Sequence, residues 1–118
     1  MKNTDSLKKN NDFRRVYNKG KSIANRQLVM YFMPNRQKLN RLGISVSKKV
    51  GNSVVRSRVT RLIKESYRLN EDNFEVGYDI VIIARNTMLG LDYWQTEKSL
   101  MHLFRKQSLL KKENVEKL

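Results

Sequence analysis

Four changes in the spacing of apolar residues divide the chain into elements. Near its start Leu7, Phe13, Val16 and Tyr17 stand in a polar segment, with Asp5 and Ser6 ahead of them as caps and Gly20 behind. This pattern predicts a short helix ending near Asn18 or Lys19, with Gly20 as a left-handed cap. "NRQLVMYFM" is then almost continuously apolar, with β-branched and aromatic members, and closes on Pro34, as a strand does. "PNRQKLN" reads as the polar turn of a hairpin into "RLGISVS". In this second strand Leu42, Ile44 and Val46 point one way and Gly43, Ser45 and Ser47 the other. The latter face is small and polar, which suits a binding floor and an ordinary solvent face equally well.

"KKVGN" reads as a turn, with Asn52 or Ser53 as the N-cap of a helix running to about Leu69. Its apolar stripe is Val55, Val59, Leu62, Ile63 and Leu69. Arg61, Lys64 and Arg68 lie opposite with Ser57 between them, and Arg56 and Arg58 flank the two edges of the stripe. "EDNFEVGYD" is an acidic loop and "YDIVIIAR" a short buried strand. A last helix buries Leu100, Met101, Leu103 and Phe104, has Trp94 near its start, and leads to a tail, "ENVEKL", expected to fray. The order is α-β-β-α-β-α. It predicts one domain over residues 1–118, a small two-layer α+β sandwich with the sheet on one side and helices on the other.

Charge changes the picture more than composition does. Twenty-five Lys and Arg oppose eleven Asp and Glu in 118 residues, a net charge of +14. So basic a body points to a polyanionic partner: nucleic acid first, an anionic membrane surface second. There is no cysteine, which removes disulfides, thiolate zinc sites and a Cys nucleophile and fits a reducing compartment. "MKNTDSLKKNNDFRR" has no apolar core of a secretory signal, and no run approaches the roughly 20 apolar residues that span a bilayer. The expectation is a soluble cytoplasmic protein without a membrane partner.

Catalytic chemistry finds little purchase. His102, the only histidine, falls among Leu and Phe in the last helix without the partners that acid–base catalysis needs. Asp79 at the mouth of a strand and Asp92 before a helix suit turn formation and capping. No acid pair has the spacing of a two-metal or paired-carboxylate site, and neither "GLDYW" nor "KVGNS" is a phosphate loop. No catalytic residue, metal ligand or small-molecule substrate is therefore expected. Binding chemistry is richer: the cationic helix, the "SKK" before it and "KNNDFRRVYNKGKS" carry the groups that contact phosphates. Phe13 and Tyr17, four apart on one helix face, and Tyr31 in the apolar strand are either core residues or stacking surfaces for unpaired bases.

"GISVSKKVGNSVVRSRVTRLIKES" closely resembles the signature of the bacterial ribonuclease P protein component: a strand ending Ser-x-Ser-Lys-Lys, a Gly-Asn turn, and a helix with Arg-Asn-x-x-Lys-Arg-x-x-Arg. "NNDFRRVYNKGKSIANRQLVMYF", "YDIVIIAR" and "SLMHLFRK" match its flanking elements in order. The resemblance implies a left-handed βαβ crossover, against the usual preference. It implies a subunit of a ribonucleoprotein whose RNA performs Mg²⁺-dependent removal of the 5′ leader from precursor tRNA, giving the mature 5′ end. It further implies a leader cleft of Phe13, Tyr17, Tyr31 and Ser45, joined by Ser57, Thr60 and Lys64, and catalytic-RNA contacts at Lys48, Lys49, Asn52, Arg56, Arg58, Arg61 and Arg68.

Three positions depart from that pattern. Ser57 stands where the family has Asn, Thr60 where it has Lys and Lys64 where it has Arg. An amide, a cation and a bidentate fork are lost in turn. The rivals are a general RNA-binding protein such as a ribosomal one, where a similar sandwich occurs, an autonomous nuclease, and a membrane-surface protein. The last would need a spare amphipathic helix with apolar anchors.

Overall fold

The computed structural model describes residues 1–111; the expected fraying of "ENVEKL" lies outside them. The elements are β1 (Thr4–Ser6), α1 (Asn10–Lys19), β2 (Lys21–Ala24), β3 (Leu28–Pro34), β4 (Asn40–Val46), α2 (Ser53–Asn70), β5 (Tyr78–Ala84) and α3 (Tyr93–Lys106). The strands form one sheet in the order β1-β4-β5-β3-β2. The α+β order predicted from the sequence is present, with two strands added at the edges.

Both additions have local causes. The segment before "LVMYFM" forms an antiparallel hairpin with it, pairing Lys21 to Phe32 and Ala24 to Val29. Asn25 makes the turn, its Oδ1 accepting from the amides of Gln27 at 3.0 Å and Leu28 at 2.9 Å, an Asx-turn. Thr4–Ser6, which includes the expected caps Asp5 and Ser6, instead pairs parallel with Asn40–Leu42. α1 consequently starts at Asn10 behind Lys9, with no side-chain cap. Leu7 explains the change: it is buried with Val16 and Val81, and its amide donates to Leu42 O at 2.9 Å.

The hairpin expected between β3 and β4 does not form. β5 lies between them, antiparallel to β3 and parallel to β4. "PNRQKLN" thus crosses the end of β5, and α2 makes the crossover from β4 to β5. Gly20 is not left-handed either, with φ −79° and ψ 164°. A Cβ there would lie 2.5 Å from Val16 O and 2.8 Å from Phe32 O, so glycine is required by close approach to backbone.

Alternation along the strands gives the sheet two covered faces. Leu28, Met30 and Phe32 of β3, Leu42 of β4, and Ile80, Ile82 and Ala84 of β5 meet Val59, Ile63 and Tyr67 of α2 and Leu100, Leu103 and Phe104 of α3. This is the sandwich the sequence predicts. α1 packs alone on the reverse face, where Leu7, Val16 and Val81 form a second small core flanked by Phe13, Tyr31, Met33 and Ile83. At the end of α2 the expected stripe shifts: Leu69 is exposed, and Ser66 and Tyr67 are buried in its place. The acidic loop supplies core as well, since Phe74 stacks on Phe104 at 3.9 Å between ring centroids.

Candidate nucleic-acid interface

β1 covers β4 only as far as Leu42. From Gly43 onward that edge of β4 is open, and a cleft of about 440 Å³ wraps around it. Phe13 and Gly43 line the cleft from the α1 side, Thr60 and Lys64 from the α2 side, and Thr4 to Lys8 close one end. A second hollow continues along Ile44 and Val46 beneath Ser53, Arg56, Ser57, Thr60, Arg61 and Lys64. The two faces of the sheet therefore contribute to one groove because the strand between them ends as an edge.

On the α1 face Phe13, Tyr17, Tyr31 and Ser45 stand together. The Tyr17 ring meets Tyr31 edge-on at 5.1 Å and Phe13 at 6.4 Å. Burial raises the Tyr17 phenol above its ordinary pKa, with a smaller contribution from Tyr31, while a hydrogen bond with Ser45 acts the other way. Tyr17 keeps 37% of its surface. Gly43 is the reason the rings fit: a Cβ there would lie 2.5 Å from Phe13 Cζ. The small-residue face of β4 is thus a floor under aromatic side chains, and Gly43, which the motif comparison did not single out, is part of it.

α1 is held in place by charge. Asp79, 1% exposed, takes Arg41 Nε on Oδ1 at 2.8 Å and Arg41 Nη2 on Oδ2 at 2.6 Å. Arg15 Nη2 of α1 donates to Oδ2 at 3.1 Å and Asn35 Nδ2 to Oδ1 at 3.1 Å. Burial alone would raise this carboxyl; the hydrogen bonds from Arg41, Asn35 and Arg15 outweigh it and hold it below the usual range. The turn-forming role read for Asp79 from its position is corrected: it is a buried ionic anchor. An acid opening an apolar strand was the available signal, but its partner Arg41 sits opposite only because β4 and β5 pair in this register.

α2 presents three edges. Asn52 caps it, its Oδ1 accepting from Val55 N at 3.0 Å. Ser57, Thr60 and Lys64 face the groove, although the Thr60 hydroxyl is engaged, donating to Arg56 O at 2.8 Å. Arg56 lines the groove, and its Nε is buried with no hydrogen-bond partner among the described residues. Arg58 turns the other way, its Nη2 donating to Leu91 O at 3.5 Å. Arg61 is exposed, as are Lys48 and Lys49 on the preceding turn. Arg68 is tied to Glu65 through its Nε and Nη2 donors, which raises its pKa and lowers that of Glu65. His102 lies apart, 3.4 Å from Asn25 Nδ2.

These features define a basic α+β domain built to bind a polyanion, with aromatic surface at the edge of its cationic helix. Among the described residues no three His, Cys, Asp or Glu converge as metal ligands, and no helix is long and apolar enough to cross a membrane. Comparison with known proteins gives the family. Residues 1–108 match the family model described as Ribonuclease P. The chain is 50% identical over 110 residues to the ribonuclease P protein component of Alkaliphilus oremlandii, covering 93% of this chain and 96% of that one. It is 54% identical over 110 residues to that of Alkaliphilus metalliredigens, covering 93% and 99%. The solved Staphylococcus aureus RNase P protein superposes with a TM-score of 0.83 at 39% identity, covering 90% of this chain and 97% of that one.

The chain belongs to the ribonuclease P protein family. It is a protein subunit of the ribonuclease P holoenzyme, an endoribonuclease, and its partner is the RNA of that particle. The ribosomal-protein alternative falls away with this assignment.

Proposed function

We propose that the groove at the open edge of β4 holds the single-stranded 5′ leader of precursor tRNA while the outer face of α2 and the turn before it bind the catalytic RNA. The observation that carries this reading is that Phe13, which stands with Tyr17, Tyr31 and Ser45 on one face of the sheet, lines the same cleft as Thr60 and Lys64 from the other. Aromatic faces accept unpaired bases regardless of sequence, and the adjacent cations follow the backbone. Ser57 and Lys64 contribute single contacts there. Thr60, with its hydroxyl turned to Arg56 O, contributes shape.

Lys48, Lys49, Asn52, Arg56, Arg58, Arg61 and Arg68 form the catalytic-RNA side. Asn52 acts by starting the helix, and Arg68 after exchanging Glu65 for phosphate. Among the described residues no three acids or histidines converge on a metal position, and Asp12 and Asp79 are neutralised by Arg15 and Arg41. Mg²⁺ accordingly belongs to the RNA, where it supplies the hydrolytic chemistry, and this chain's residues align the substrate. A particle maturing tRNA in a bacterium works in the cytoplasm.

The test is cleavage of a precursor tRNA by a bacterial ribonuclease P RNA at low Mg²⁺, with and without this protein. Stimulation that grows as the leader lengthens to span the groove, with no cleavage by the protein alone, is the expected result. Equal binding of precursor and mature tRNA by the holoenzyme contradicts the leader assignment.

A further inference from the structure

The chain's single tryptophan takes no part in the groove. Trp94 sits in the first turn of α3 with 71% of its surface exposed. Its ring meets Tyr93 edge-on, with centroids 5.0 Å apart at 83°. Tyr93 is fixed from within: its hydroxyl donates to Glu97 Oε2 at 2.7 Å. Burial, then Glu97, pushes the phenol pKa up to about 12, so Tyr93 is a neutral, rigid backing for its neighbour. The capping box at the start of α3 takes up the Asp92 and Gln95 amides, and the exposed indole is the surface this corner presents to an aromatic ligand.

Cations surround it from α2. Arg58 reaches Leu91 O, on the loop that leads into Tyr93. Arg68 lies close enough for its charge to act on the Tyr93 phenol. Arg61 lies between them in the sequence of α2 and is exposed, where it also borders the hollow along β4. The nearby acids are occupied, Glu65 by Arg68 and Glu97 by Tyr93 and Asn70. Arg58 and Arg61 have no ion-pair partner among the described residues. An exposed indole backed by a part-buried tyrosine and bordered by guanidinium groups without an ion-pair partner suits a base with phosphates on its flanks. A second copy of a chain carrying +14 would bring like charges together at the same place.

We propose that the Tyr93–Trp94 corner is a base-stacking platform for an unpaired nucleotide of the catalytic RNA, with Arg58 and Arg61 on the adjoining phosphates. The catalytic RNA is favoured over the leader because Arg58 turns away from the groove toward Leu91, and neither Tyr93 nor Trp94 lines the groove. The proposal rests on the RNA-binding role of α2 and extends that surface across to α3.

Trp94 is its own reporter, since no other tryptophan contributes to emission. The full chain is titrated with a bacterial ribonuclease P RNA and, separately, with a short unstructured leader oligonucleotide. Saturating quenching by the first and little by the second is expected. Trp94→Ala should weaken binding of the ribonuclease P RNA by about 10-fold. Trp94→Phe should recover part of that loss, and the salt slope should stay unchanged because no charge is removed. Melting curves of the variants confirm that this exposed substitution leaves the fold intact. Unaltered emission at saturating RNA, with wild-type affinity for Trp94→Ala, overturns the proposal while leaving RNA binding by α2 standing. Failure of every variant and the wild type to bind indicts the underlying reading instead. A wild-type dimer in sedimentation that Trp94→Ala converts to monomer overturns the proposal in favour of a self-association surface.

Discussion

Replacing Asp79 with Asn removes one charge where three donor side chains converge, and the geometry sets the size of the effect. The carboxylate is 1% exposed and accepts from Arg41 through both oxygens, from Arg15 and from Asn35. An amide keeps one acceptor oxygen and turns an NH₂ toward the remaining donors. Breaking a buried ion pair costs about 3–5 kcal/mol. The Arg41 and Arg15 side chains are 23% and 39% exposed and regain water, so the lower end, about 3 kcal/mol, applies. At about 2.1 cal/mol/K of unfolding entropy per residue, a chain of 118 residues loses about 4 °C of Tm per kcal/mol, hence about 12 °C here.

Thermal melts by circular dichroism at neutral pH measure this directly. The pH dependence has a definite sign. The folded carboxyl lies below its ordinary 3.8, so its contribution is complete above that value and is lost as pH falls through the lower folded pKa. The gap in Tm between wild type and Asp79→Asn should therefore be constant near neutrality and narrow below about pH 4. The same anchor holds α1 and its aromatics, so leader affinity should fall more than catalytic-RNA affinity. A variant melting within about 3 °C of wild type at neutral pH refutes the anchoring role.

Gly43→Ala should cost little stability but weaken leader binding, because the new Cβ clashes with the tip of the Phe13 ring, displacing it toward the groove, and makes only an ordinary contact with Leu7. Gly20→Ala should do the opposite, costing about 1–3 kcal/mol of stability in denaturant titrations, since its Cβ meets two backbone carbonyls that cannot turn aside. Arg61→Ala should flatten the slope of log K against log salt for the catalytic RNA by about 0.7–0.9; an unchanged slope removes it from the phosphate contacts. Tyr17→Ala should lose about 1–3 kcal/mol of leader affinity if a base stacks on it, and a loss confined to melting temperature returns it to the core.

The helix carrying the cations was legible because charge and apolar residues alternate on a period only a helix satisfies, and its start was legible to within Asn52 or Ser53, of which Asn52 is the cap. The two arginines flanking its stripe, Arg56 and Arg58, were legible as edges, but not in what each edge faces, which depends on α3. β5 was legible as a buried apolar run, and the small face of β4 as unusual. Thr4–Ser6 was not legible as a strand: three polar residues carry no period, and their pairing depends on β4 being available. Leu69 misled because the helical period continues past the point where the core stops. Tyr67 fills the core there instead, its hydroxyl hydrogen-bonded with Thr4 and Asn40.

Strand order was the largest gap, and the groove depends on it. A hairpin between β3 and β4 would have set Tyr31 directly beside the small face of β4. With β5 inserted, Tyr31 pairs with Val81 and Val81 with Gly43, so the aromatic and the glycine lie in one row across three strands. Val81 fills the space between them as part of the small core, and Tyr17 reaches down from α1 to both Tyr31 and Ser45. The same insertion pairs Asp79 with Met33 on one side and Arg41 on the other, bringing the anchor of α1 within reach of Arg15. It also leaves β4 with only the three-residue β1 for its outer neighbour, so the edge stays open where the small residues begin. Floor, wall, anchor and opening of the groove thus follow from one topological choice, which no local pattern in the chain encodes.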